Sequence, residues 1–76
     1  MRIEYDRQAD ALYIRLSLRQ PDGAVEVKPY MHIDTTADDE VVGIEVLQAS
    51  QHLDLAEVLR WEASVDDVAG AEKDAA

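Results

Sequence analysis

Apolar and polar side chains alternate with a period of two along most of the first 47 residues. Met1, Ile3 and Tyr5 alternate with Arg2, Glu4 and Asp6. Leu12, Ile14, Leu16 and Leu18 alternate with Tyr13, Arg15 and Ser17. That period belongs to strands with one buried face. Asp6-Arg7-Gln8-Ala9-Asp10 between them reads as a hairpin loop, because aspartates bond nearby backbone and tolerate turn conformations. A register with Glu4 opposite Arg15 would set unlike charges side by side. Gln20-Pro21-Asp22-Gly23 is the next turn, with proline presetting φ. Val25 and Val27 follow in a third strand, which Pro29 ends or bends for want of an N–H. The extended pattern resumes through Tyr30, Met31, His32 and Ile33. Past the polar stretch Thr35 to Glu40, Val42, Ile44 and Val46 mark a β-branched fourth strand.

Around Ser50 the spacing becomes helical, with Leu55, Val58 and Leu59 three and four residues apart. Asp54 with Glu57 fits a capping box, and Ser50 is a competing cap. The helix is expected to end between Glu62 and Val68. The predicted fold is α+β: a small antiparallel four-stranded meander in the order β-β-β-β-α, with one C-terminal helix packed on one face. That face carries Ile3, Tyr5, Leu12, Ile14, Leu16, Val25, Val27, Ile33, Val42, Ile44 and Val46, and the helix meets it through Leu55, Val58 and Leu59. Trp61 is expected to seal the helix onto the sheet. Residues 1–63 form a single domain, and residues 64–76 an acidic, alanine-rich tail expected to fray.

Composition narrows the function. The chain has 76 residues, no cysteine and a net charge of −10. A core this small is thin, and no disulfide or thiolate-held zinc reinforces it. The charge is lopsided. Residues 1–30 hold five basic and five acidic side chains, while residues 31–76 set Arg60 and Lys73 against twelve acids. Such a surface disfavours direct nucleic-acid binding and favours a small basic protein partner. No apolar run is long enough for a signal peptide or a membrane span, and the absence of cysteine suits a cytoplasmic setting.

One combination of short motifs is distinctive. Tyr5-Asp6, Asp10-Ala11-Leu12-Tyr13-Ile14, Ile33-Asp34, Val42-Gly43-Ile44-Glu45-Val46-Leu47 and Ala49-Ser50, in that order, resemble the YuzE-like family of short bacterial proteins. The resemblance spans about residues 1–50. It implies a small strand-rich domain with no established activity. Some members neighbour genes for proteins related to toxin nucleases, which implies an antitoxin-like role.

The residues singled out as interaction or pattern positions are Tyr5, Asp6, Asp10, Tyr13, Asp34, Gly43 and Glu45. Asp6, Asp10 and Asp34 would serve a divalent metal or acid–base chemistry only if they converged with His32. Turn formation explains Asp6 and Asp10 more simply. Tyr13 faces away from the core side, as an interface anchor or a cross-strand neighbour. Asp38-Asp39-Glu40 lacks the alternating ligands and central glycine of a calcium loop. No catalytic residue, metal or cofactor is assigned. The expectation is a non-enzymatic interaction module for a basic partner, with a self-assembling homodimer as the alternative.

Overall fold

The structure, a computed structural model, describes residues 1–62, so the expected tail lies outside the described residues. Five strands form: β1 (Arg2–Asp6), β2 (Ala11–Arg15), β3 (Gly23–Lys28), β4 (Met31–Thr35) and β5 (Val41–Leu47). Two short helices follow, α1 (Ala49–His52) and α2 (Leu55–Leu59). All strand pairs are antiparallel, in the order β1-β2-β5-β4-β3.

This order corrects the expected four-stranded meander with one helix. The segment around Pro29 does not bend one long strand. The chain reverses there through Pro29 and Tyr30, and Lys28 pairs with Met31. The fourth expected strand is the fifth, and it inserts between the two hairpins. β2, β5, β4 and β3 thus form a Greek key. The reason lies in β5 itself. Val42, Gly43 and Val46 are buried, so this strand needs neighbours on both sides. The linker from β2 must then cross to the far edge. Leu16 N and Ser17 N donate to Val42 O, and Asp22 N donates to Thr35 O on the way.

The β1–β2 register also differs from the expected one. Glu4 faces Tyr13, and Arg2 faces Arg15. The four-residue turn Arg7–Asp10 sets this offset, with Asp10 left-handed at φ 53°. β2 ends at Arg15, so Leu16 and Leu18 leave the ladder and are exposed.

The alternating pattern sorts two faces. On one, Ile3, Ile14, Ile44, Ile33 and Val25 lie side by side, one from each strand. Beside them Tyr5, Leu12, Val46 and Met31 form the next row. The helices cover that second row: Ala49, Leu53, Leu55 and Val58 pack with Leu12 and Val46. Among the described residues only Leu12, Val42, Val46 and Ala49 are buried apolar residues. The single expected helix is two because Leu53 is extended, with φ −128° and ψ 153°. Asp54 then caps α2 through Glu57 N at 3.3 Å, while Ser50 caps nothing and turns to Asp10. Leu59 and Trp61 are 52% and 54% exposed, so neither seals the helix as expected. Among the described residues no helix is long and apolar enough to cross a membrane.

Candidate functional site

The second sheet face carries the polar positions. One row reads Glu4, Tyr13, Glu45, His32 and Glu26 across β1, β2, β5, β4 and β3. The adjacent row reads Arg2, Arg15, Gly43, Asp34 and Ala24.

Tyr13 links the two rows. Its hydroxyl donates to Asp34 Oδ2 at 2.9 Å, from β2 over β5 to β4. Gly43 on β5 makes the crossing possible, since a Cβ there would overlap the Tyr13 hydroxyl and ring. Desolvation, and then the bond to Asp34, push the Tyr13 phenol above its usual range. Tyr13 faces away from the core, as its place between Leu12 and Ile14 requires.

A second junction lies at the opposite end of the sheet. Asp10 accepts from the Tyr5 hydroxyl at 2.7 Å, from Ser50 N at 3.0 Å and from Ser50 Oγ at 2.6 Å. Its own carbonyl accepts from Ala49 N at 2.9 Å. The left-handed backbone of Asp10 aims the carboxylate at α1, and the αL residue Gln48 turns the chain to meet it. The Ser50 and Tyr5 bonds hold the Asp10 carboxyl below its usual range, and the Asp10 bond raises Tyr5. Asp6 accepts from Gln8 N at 3.0 Å and Ala9 N at 3.1 Å, which shapes the turn between them.

The expected acids therefore do not converge. Asp6 and Asp10 sit at the tip of the first hairpin. Asp34 lies in the row of Arg2, at the other end and two strands away from β1's neighbour. His32 Nε2 is 3.5 Å from Glu26 Oε1, and His32 Nδ1 is buried without a partner. Glu45 stands between Tyr13 and His32 in its row. Among the described residues no three His, Cys, Asp or Glu side chains are placed to hold a metal ion.

Two contacts carried no signal in the local pattern. Arg19 pairs with Asp38 at 3.1 Å and with Glu40 at 3.4 Å, tying the β2–β3 linker to the β4–β5 loop. The Thr36 hydroxyl, then Arg19, hold Asp38 down at about 2. Tyr30 and His52 stack with centroids 3.5 Å apart. Only opposite charges and aromatic types hinted at either, because each pair joins distant segments.

No curated protein and no solved structure matches the chain. A family model does match, over residues 2–50, which holds both junctions and every strand. The chain belongs to that family, DUF2283, a family of proteins of unknown function.

Proposed function

We propose that the chain is a non-enzymatic protein-interaction module that docks a small basic protein, in the antitoxin-like manner that the YuzE-like resemblance implies. The observation that carries the reading is where the polar groups of residues 2–50 are spent. Asp10 accepts from both Tyr5 and Ser50, Tyr13 donates to Asp34, and Asp6 accepts from its own turn. Acid–base or nucleophilic chemistry needs groups left free to reach a substrate. What remains is His32, half-buried beside Glu26, and the surface. Residues 31–62 set eight acids against Arg60 alone. Glu4 and Glu26 flank Glu45, one of those eight, in a single row on the polar face. Such a field speeds encounter with a basic partner and weakens with salt. A cytoplasmic setting, consistent with a chain without cysteine, belongs to the same proposal.

The test is capture from the host at low salt, then rebinding of each retained protein in purified form. The reading expects one small basic protein that rebinds stoichiometrically and dissociates as salt rises. Failure of every purified candidate to rebind rejects it.

A homodimer is the second reading, favoured by the half-open row Ile3, Ile14, Ile44, Ile33 and Val25. It would form through this face, because both sheet edges are defended. β1 presents Arg2, Glu4 and Asp6, and β3 is bulged before Lys28 and Pro29. Sedimentation across the micromolar range separates the readings, since a strict monomer removes the dimer.

A further inference from the structure

The first hairpin places two cations side by side in a chain that is otherwise short of them. Arg2 and Arg15 are direct cross-strand partners, so their side chains leave the same face. Like charges in that position repel. Arg2 turns aside to Glu4 on its own strand, at 3.0 Å. Arg15 has no such outlet. It is half-buried, and among the described residues no carboxylate lies within ion-pair distance of it. Asp34 shares its row, but the Tyr13 hydroxyl lies over Gly43 between them and takes the Asp34 carboxylate for itself.

Beside this pair the strand ends open into a concavity of about 530 Å³, a size that suits a small ligand. Arg2, Arg15 and Ser17 line its polar side together with Glu4, whose carboxylate is held by Arg2. Met1, Leu16 and Leu18 line the other, and all three are exposed apolar side chains. The Ser17 hydroxyl reaches Glu40 only at 3.4 Å, so its proton is weakly held.

We propose that this notch is a binding site for a carboxylate carrying an apolar group, held between Arg2 and Arg15 with its hydrocarbon against Leu16 and Leu18. A guanidinium fork matches a carboxylate in plane, and one anion can answer two neighbouring guanidiniums on the same face. The exposed Arg2–Glu4 pair is cheap to open when the ligand enters. The site goes beyond docking of a basic partner on the acidic surface and stands without it. Two sources supply this chemistry: a free aliphatic acid, or the C-terminal carboxylate of a protein chain ending in an apolar residue.

The test is a titration of the full chain followed by amide and arginine side-chain NMR. The probes are hexanoate, and a short peptide ending in leucine with its carboxylate free or amidated. Saturable shifts centred on Arg15 and Ser17 are expected for hexanoate or for the free-carboxylate peptide, and the tighter of the two names the source. The amidated peptide should leave them unmoved. Arg15→Gln should weaken binding about ten-fold or more, as expected for loss of a charge-assisted pair, and Arg15→Lys should restore part of it. Arg7→Gln, in the turn at the opposite end of the β1–β2 hairpin, should change nothing. Without ligand, Arg15→Gln should melt no lower than the parent, because it relieves a repulsion. The proposal is overturned by shifts that never saturate, or by equal affinity in Arg15→Gln.

Discussion

The Tyr13 hydroxyl donates to the Asp34 carboxylate at 2.9 Å, across a strand that neither residue belongs to. The bond spans 21 residues of sequence and joins the two hairpins over β5. Its geometry depends on Gly43, whose missing Cβ leaves room for the phenol. Gly43→Ala should therefore cost about 2 kcal/mol, the usual scale of overpacking. Removing the phenol in that background, as Gly43→Ala with Tyr13→Ser, should cost less than the two single changes summed. Urea melts of the three variants check this, and full additivity would mean that the ring does not occupy the space over Gly43.

Asp10 offers a second check. Asp10→Ala strands the Tyr5 hydroxyl, Ser50 N and Ser50 Oγ together. The melting temperature should fall. Amide exchange at Ser50 and at the start of α1 should quicken more than at the centre of β5. Uniform quickening over the whole sheet would show that Asp10 does not anchor the helix locally.

Strands and faces were legible in the chain because period two is local. Ile3, Ile14, Ile44 and Val25 announce their side by alternation alone. The order of strands was not legible. Adjacent strands in sequence usually pair, and nothing local to Val42-Gly43-Ile44 says that it sits at the centre. The clue was burial on both faces, with Gly43 admitting Tyr13, and that requires the partner strand to be known. Pro29 was visible as an interruption, yet a bend and a reversal look alike until Lys28 meets Met31. At the site, Asp6 and Asp10 read as turn residues. The tie from Asp10 to Ser50 spans 40 residues and has no periodic trace.

The acidic groups set the response to low pH. Asp38 is held at about 2 by Thr36 and Arg19, and Asp10 is lowered by Ser50 and Tyr5. A carboxyl lowered on folding stabilises above its unfolded value and loses that contribution as pH falls through its folded value. The two ties should hold at pH 5 and loosen as pH falls below 3.8, the ordinary value of both groups. Carboxyl NMR should place the Asp38 midpoint near 2. A midpoint at the ordinary aspartate value would remove the Arg19–Asp38 tie between the loops.

The thin core makes the sheet uneven in its tolerance. Leu12→Ala removes a fully buried side chain and should cost about 3 kcal/mol. Leu16→Ala, at a position 44% exposed, should cost well under that, roughly 1 kcal/mol or less. Chemical melts of both variants measure the difference. Equal costs would mean that Leu16 is covered in solution.

The central claim is that Tyr13 and Asp34, like Tyr5, Asp10 and Ser50, are spent on holding the sheet together. A double-mutant cycle on Tyr13→Phe and Asp34→Ala measures this most directly, with unfolding free energy as the readout. A coupling of about 1 kcal/mol is predicted, the net worth of one half-exposed hydrogen bond. A coupling indistinguishable from zero would contradict the claim and return Tyr13 and Asp34 to the pool of groups free for function.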